Sequence, residues 1–168
     1  MPVLNIAMVG SDDLAREIAK PTDQRDVHTY VHKESGADGP RILSIIRPAK
    51  YPERLRPFLN ALSAARVGII EVQRIDATLG EALVAFASSG LTKGMAIINA
   101  PEGEWVDEEQ AKMLFKQAGL ADWTFAQGDG IELRTILYGF MDDIADELRA
   151  NAEAPLVIPV DQHFNVKG

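Results

Sequence analysis

The sequence predicts an α/β domain with a mostly parallel six-stranded sheet between helices, and three observations indicate this class. First, continuous apolar runs typical of strands buried on both faces alternate with segments of helical periodicity. Second, glycine or proline punctuates the ends of most helical segments. Third, one antiparallel hairpin interrupts the alternation near the start. The predicted order is β-α-β-β-α-β-α-β-α-β-α, which implies a mostly parallel sheet with helices on both faces.

The elements of the first half follow from local signals. Leu4–Val9 is an apolar strand, and a helix capped by Asp12 or Asp13 is expected to run to Lys20, just before Pro21. The segments DVHTYVH and RILSII, joined by the turn SGADGP, predict the antiparallel hairpin. In YPERLRPFLNALSAA, apolar residues recur at i, i+3, i+4 and i+7, which predicts an amphipathic helix.

The second half alternates between strands and helices. Val67–Val72 and Gly94–Asn99 are predicted to be buried strands. Between them lies a helix with Thr78 as a candidate cap and Gly90 at its end. A further helix is expected to begin after Asp107, and the short strand WTFAQ precedes the long final helix GIELRTILYGFMDDIADELRA. We expect both tryptophans, Trp105 and Trp123, to pack against the protein.

The predicted domain boundary lies near residue 150. Residues 1–150 form the α/β domain, whereas residues 151–168 are expected to be a linker and the first strands of a truncated β-barrel domain. The linker is indicated by Ala154 and Pro155, which precede the strand-like run LVIPV.

Composition excludes several classes of protein. The chain has 168 residues and 46% hydrophobic residues, enough for a real core, and no apolar run is long enough to span a membrane. The absence of cysteine excludes disulfides and thiol nucleophiles and is compatible with the predicted cytoplasmic location. The formal net charge of −8 argues against DNA or other nucleic acid as a partner of the whole surface.

Four stretches resemble the translational GTPases of the elongation factor Tu and SelB type, in particular the archaeal SelB-like proteins. They are LNIAMVGSDDLAREIAK, the segment from ALSAARVGIIEV to AIINAPEG, the segment DGIELRTILYGF, and the tail PLVIPVDQHFNVKG. The resemblance implies a Ras-like three-layer α/β/α domain followed by a β-barrel domain. It also implies tRNA or the ribosome as partners, contacted through further C-terminal domains, with GTP and Mg²⁺ as ligands.

The phosphate loop, residues 10–17, departs from the family pattern G-x-x-x-x-G-K-[ST]. The matching octet is GSDDLARE, in which Gly10 is kept and Ala15 replaces the second glycine. Arg16 stands at the lysine position, and Glu17 stands at the hydroxyl position that would bind Mg²⁺. The loop also contains two aspartates, Asp12 and Asp13. Its net charge of −2 disfavours a polyanion, because like charges at ~4 Å repel by about 4 kcal/mol at a dielectric of ~20.

The motif that positions the attacking water is also altered. The family pattern D-x-P-G-H is replaced by IRPAK, with Ile46, Ala49 and Lys50 at the functional positions. A lysine is a poor proton acceptor at neutral pH. Thr22 is the sole candidate for the Mg²⁺-binding threonine of the first switch. We therefore predict no catalytic residue and no resident metal.

The guanine-recognition motifs are partly kept. The pattern N-K-x-D becomes NAPE. Asn99 matches the asparagine of the pattern, and Glu102 replaces the aspartate with a side chain one methylene longer. Ala126, in FAQGDG, matches the alanine of the S-A motif. The candidate nucleotide-binding positions are Gly10, Asp13, Arg16, Glu17, Asn99, Glu102 and Ala126.

Three functional hypotheses remain open at this point. The first is a translation-factor-like protein whose GTPase-like domain has lost nucleotide chemistry and serves as a scaffold, with no cofactor. The second is a nucleotide-binding GTPase with altered motifs, for which GTP and Mg²⁺ would be ligands. The third is an interaction module unrelated to translation.

Overall fold

A computed structural model describes residues 2–36, 39–91 and 93–150 of the chain. Over these residues the elements, in chain order, are β1 (Val3–Val9), α1 (Asp12–Ile18), β2 (Lys20–Gln24), β3 (Val27–Gly36), β4 (Gly39–Pro48), α2 (Leu55–Ala64), β5 (Val67–Val72), α3 (Ala77–Ser88), β6 (Lys93–Ile98), α4 (Glu108–Gln117), β7 (Thr124–Ala126) and α5 (Gly130–Ala150). The tail predicted to begin a second domain, residues 151–168, lies outside the described residues.

The strands form one sheet in the order β2-β3-β4-β1-β5-β6-β7. Strand β1 pairs in parallel with β4 and β5, and the parallel pairing continues through β6 to β7. Strand β3 is antiparallel to both β2 and β4, and its register with β4 places Tyr30 opposite Ile45. The predicted fold class, a mostly parallel α/β sheet with an antiparallel hairpin, is confirmed.

The described part of the sheet has seven strands instead of the six expected, because residues 20–24 pair with β3 as strand β2. Proline disfavours helical geometry in the residue before it, so Pro21 favours extended backbone at Lys20. All five residues of β2 are exposed, and no apolar alternation marks the strand. Thr22, the candidate Mg²⁺ ligand, lies in this edge strand, where its hydroxyl is 2.8 Å from the hydroxyl of Thr29.

Helix α1 is shorter than predicted. It ends at Ile18, and Ser11 is its N-cap, since the Ser11 hydroxyl accepts a 3.2 Å hydrogen bond from the N–H of Leu14. The prediction that Asp12 or Asp13 caps this helix is therefore wrong. The serine hydroxyl satisfies one of the free N–H groups of the first turn.

The caps of two later helices are also side chains. Asp107 caps α4 as predicted, accepting hydrogen bonds from the N–H groups of Glu109 and Gln110. Helix α3 is capped by Asp76, whose Oδ1 accepts a 2.9 Å hydrogen bond from Leu79, and not by Thr78.

Apolar side chains cover both faces of the sheet, which gives the predicted three layers. Residues of α1 and α5, including Leu14, Ile18 and Leu137, form a buried cluster with one face. Residues of α2, α3 and α4, including Phe58 and Phe115, form the cluster on the other face. The helices of the described residues include none long and apolar enough to cross a membrane.

Trp123 occupies a space that two glycines leave open. A Cβ at Gly68 would lie 2.3 Å from Cη2 of Trp123, and a Cβ at Gly94 would lie 2.4 Å from its Cε2. The indole also packs edge-on against Phe86. The prediction that Trp123 packs inside is confirmed, whereas Trp105 is 81% exposed and that prediction is wrong.

Candidate functional site

The phosphate loop lies where the topology of the sheet favours a ligand site. Strand β1 ends at Val9, and its two neighbours, β4 and β5, run parallel to it and end at the same edge. The chain leaves β1 toward β4 on one side and later returns on the other side as β5. Ligands of open α/β sheets bind at such a reversal, beyond the carboxyl ends of the strands.

The carboxylate of Glu71 occupies this position. The N–H of Ser11 donates a 2.5 Å hydrogen bond to Oε2 of Glu71, and the Ser11 hydroxyl donates one of 3.1 Å to Oε1. The side chain of Glu71 is buried, with 6% of the residue exposed, and no other charged residue in the described part of the chain is buried. The N–H of Ser11, which could otherwise bond to a phosphate, is therefore already bonded to the carboxylate of Glu71.

Gly10 allows this close approach. A Cβ built on Gly10 would lie 2.8 Å from Cβ of Glu71 and 3.1 Å from its Oε2. Real Cβ atoms do not approach to 2.8 Å without displacing something. The glycine kept from the phosphate-loop pattern thus makes room for the side chain of Glu71.

Asn99 completes the set of donors around the carboxylate. It follows β6, and its Nδ2 donates a 2.6 Å hydrogen bond to Oε1 of Glu71. The residue expected to recognise guanine therefore bonds to Glu71. Three donors from Ser11 and Asn99 offset the cost of removing this carboxylate from water.

Arg16, the cationic residue of the loop, forms an ion pair with a neighbouring side chain. The guanidinium of Arg16 bonds to Asp12, one helical turn earlier, and the hydroxyl of Tyr30 donates a hydrogen bond to the same carboxylate. The hydrogen bond from Arg16, followed by that from Tyr30, holds the pKa of Asp12 below its ordinary value. Burial, followed by the hydrogen bond to Asp12, raises the pKa of Tyr30.

Arg47 connects the loop to the antiparallel hairpin. Its Nε donates a 2.7 Å hydrogen bond to the carbonyl of Gly10, and its Nη1 lies 3.4 Å from Nδ1 of His28. Arg47 lies near the end of β4, next to Ile46 in the segment IRPAK. The carbonyl that opens the loop is thereby fixed from the side opposite Glu71.

The remaining candidate positions are dispersed. Asp13 and Glu17 are exposed on α1, and the carbonyl of Glu17 accepts a hydrogen bond from Arg134. Glu102 is exposed in the segment after β6, where the neighbouring Glu104 forms the ion pair with Arg74. Ala126 is buried in the cluster formed with α1 and α5. The structure thus brings together Gly10 and Asn99, through Glu71, and leaves the other candidates outside this contact.

Sequence reasoning missed Glu71, Ser11 and Arg47. One signal for Glu71 was present, because VGIIEV places a single charge inside an otherwise apolar strand whose six residues are all buried. A buried charge needs partners, and its partners lie 60 and 28 residues away in the chain. Within the described residues, no group of three or more His, Asp or Glu side chains is arranged to hold a metal.

Comparisons with known proteins support the fold. No protein-family model matches the chain. It is 22% identical to an uncharacterized protein of Methanocaldococcus jannaschii over 168 residues, which cover 99% of this chain and 50% of that protein. The chain thus spans half the length of this relative.

One similar solved structure is a bacterial selenocysteine-specific elongation factor, EF-Sec. The TM-score is 0.58 at 16% sequence identity, and the match covers 91% of this chain and 29% of that chain. At this identity the likeness establishes the fold alone. The chain therefore has a GTPase-like α/β fold, as the sequence predicted.

Proposed function

We propose that this chain is the GTPase-like domain of a translation-factor-like protein, and that it acts as a scaffold that neither binds nor hydrolyses GTP. The observation behind this proposal is the carboxylate of Glu71, which accepts the hydrogen bonds of Ser11 and Asn99. The fold shared with a selenocysteine-specific elongation factor supports the link to translation.

Electrostatics explains why a phosphate would be excluded. A phosphate at ~4 Å from Glu71 would meet a repulsion of about 4 kcal/mol per charge pair at an effective dielectric of ~20. This corresponds to a loss of about a thousandfold in affinity. Arg16 offsets little of this repulsion, because its guanidinium is already bonded to Asp12.

The ligands that GTP hydrolysis requires are replaced as well. Glu17 stands at the hydroxyl position of the loop, and its side chain is exposed. Ile46 stands at the position of the acid that would approach Mg²⁺, and its side chain packs against the core shared with α2 and α3. These residues do not suit a Mg²⁺-nucleoside triphosphate.

We further propose that tRNA or the ribosome is the partner of the whole protein, contacted through regions beyond residue 150. This part of the proposal rests on the resemblance of the tail and on the elongation-factor neighbour. Binding of full-length protein to tRNA and to ribosomes, measured by filter binding and by co-sedimentation, separates it from an interaction module outside translation. Absence of both interactions would contradict it.

The test of the scaffold role is calorimetric titration of GTP and of GDP, each with Mg²⁺, into the chain freed of nucleotide. We expect no saturable heat at about 1 mM nucleotide, a concentration that detects binding free energies near −4 kcal/mol. Saturable binding of either nucleotide would contradict the scaffold role and favour the second hypothesis, a GTPase with altered motifs.

A further inference from the structure

A cavity of about 340 Å³ lies beside the phosphate loop, on the side of α3. Its walls come from the ends of β1 and β5, the start of α3 and the segment after β4 that contains Tyr51. This volume lies at the lower end of the range for ligand pockets, so the cavity fits one side chain better than a large cofactor.

The floor of the cavity is apolar. It consists of the side chains of Val9, Ile70, Leu79 and Ala82. Ile70 and Ala82 are almost fully buried, so they form a fixed surface. Such a floor suits the methylene groups of a long side chain whose polar end stays near the mouth.

Negative residues outnumber positive ones on the walls, since the described lining contains Glu71 and Asp76 but one cation, Arg74. Oδ1 of Asp76 accepts the capping hydrogen bond of Leu79, and among the described residues Oδ2 of Asp76 accepts none. Arg74 also lines the cavity, but Glu104 binds its guanidinium through two contacts, one of them 2.6 Å between Nε and Oε2. Arg74 is therefore paired chiefly with Glu104, a residue outside the cavity, and its electrostatic interaction with Asp76 is the smaller one.

Tyr51 adds an aromatic wall within the same negative field. Burial, and then the negative charges of Glu81 and Asp76, raise the pKa of the Tyr51 hydroxyl. A field that disfavours the tyrosinate favours a cation at the same place. Aromatic rings also attract ammonium and guanidinium groups.

We propose that this cavity binds one arginine side chain of a basic protein partner, with the guanidinium between Asp76 and Tyr51 and the methylene groups on the apolar floor. Arginine fits better than lysine because its planar fork can bond to a carboxylate and stack on a ring. The net charge of −8 favours a basic partner over the whole surface. Gly10 and Glu71 also line the cavity, which therefore adjoins the phosphate loop, but Asp76 and Tyr51, which would hold the arginine, take no part in the hydrogen bonds around Glu71.

The test uses N-acetyl-arginine-N-methylamide as the probe and the citrulline counterpart as a neutral isostere. Each is titrated into the ¹⁵N-labelled chain of 168 residues, and the amide resonances are followed by NMR. We expect saturable shifts at Thr78, Gly80 and their neighbours with the arginine compound and none with citrulline. Equal shifts with both compounds, or no shift near Tyr51 and Asp76 with arginine, would overturn the proposal.

A matched pair of variants tests the role of the charge. Asp76→Asn removes the charge and keeps a good N-cap, so α3 remains formed. Asp122→Asn makes the same change at the amino end of β7, away from the cavity. We expect Asp76→Asn to weaken arginine binding by about two- to fivefold and Asp122→Asn to leave it unchanged. Equal affinities of Asp76→Asn and the wild type would overturn the proposal.

Discussion

The N–H of Ser11 donates a 2.5 Å hydrogen bond to the carboxylate of Glu71, across 60 residues of the chain. Ser11 follows the first strand and Glu71 lies in the fifth, and the parallel pairing of these strands brings both to the same edge of the sheet. In a GTPase-like fold this edge is the place of the phosphate loop. An internal carboxylate at this place is the central feature of the account.

The stability of the domain should depend on Glu71. Glu71→Ala removes the acceptor of the part-buried hydrogen bonds from Ser11 and Asn99, and a hydrogen bond to a charged group contributes about 1.5–3 kcal/mol. We expect a loss of at least ~2 kcal/mol in the free energy of unfolding, measured by urea denaturation.

The control for Glu71 is Glu102→Ala, which removes an exposed acid of the segment after β6. Its effect should stay within about 0.5 kcal/mol. Glu71→Gln, which keeps an acceptor oxygen, should lose less stability than Glu71→Ala. Similar losses for Glu71→Ala and Glu102→Ala would show that the carboxylate is not held as described.

Gly10 should be intolerant of a side chain. Gly10→Ala places a Cβ 2.8 Å from Cβ of Glu71, and overpacking of this kind costs about 1–3 kcal/mol. Gly80→Ala is the matched control, since its Cβ meets no atom within 4 Å in the interior of α3. It should stabilise the domain by about 0.5–1 kcal/mol. Urea midpoints that move in the same direction for both variants would contradict the close contact at Gly10.

The two glycines beneath Trp123 should also be intolerant of a side chain. Gly94→Ala drives a Cβ into the indole, and we expect a loss of about 3 kcal/mol or more. Gly139→Ala in α5 meets no atom within 4 Å and should not destabilise. Fluorescence in a Trp105→Phe background isolates Trp123, because the chain has two tryptophans. An unchanged Trp123 signal and unfolding midpoint in Gly94→Ala would refute this packing.

Asp12 should contribute stability that is lost in acid. Its pKa is lowered in the folded state, chiefly by Arg16 and then by Tyr30, so the contribution is complete above the unfolded pKa of about 4. It disappears as the pH falls below this value toward the folded pKa. Because the pair is exposed, we expect Asp12→Asn to cost up to about 1 kcal/mol at pH 7 and progressively less as the pH is lowered toward 2.

The check on Asp12 is urea denaturation at both pH values, with Asp13→Asn as the control. Asp13 is the exposed neighbour on the same turn. The difference between wild type and Asp12→Asn should shrink in acid, and at pH 7 it should exceed the difference for Asp13→Asn. A difference for Asp12→Asn that persists unchanged in acid would refute the role assigned to its hydrogen bonds.

Most of the fold could be predicted because its signals are local. Runs such as that of β5 are apolar, and caps such as Asp107 bond to N–H groups two and three residues away. Strand β2 could not be predicted, because all its residues are exposed and the strand is fixed by pairing with β3. Trp105 lies on the surface, whereas Trp123 fills the space that Gly68 and Gly94 leave open, and the sequence does not distinguish the two tryptophans.

The candidate site was harder to predict than the fold. The phosphate-loop pattern identified Gly10 and the guanine-recognition pattern identified Asn99, but neither gave a reason to place the two residues together. Their connection is a side chain from a third strand, Glu71, whose partners are distant in sequence. Such contacts depend on the order and register of the strands, which periodicity alone does not give.

The most direct measurement is the amide resonance of Ser11 in ¹H–¹⁵N NMR spectra, with and without about 5 mM Mg²⁺-GDP, well above the ~1 mM scale of weak binding. An N–H bonded to a carboxylate resonates far downfield, and Glu71→Ala should move this resonance upfield. The account predicts that Mg²⁺-GDP leaves the Ser11 resonance of the wild type unchanged. A saturable shift of Ser11 on addition of Mg²⁺-GDP would show that the nucleotide displaces Glu71 and would contradict the central claim.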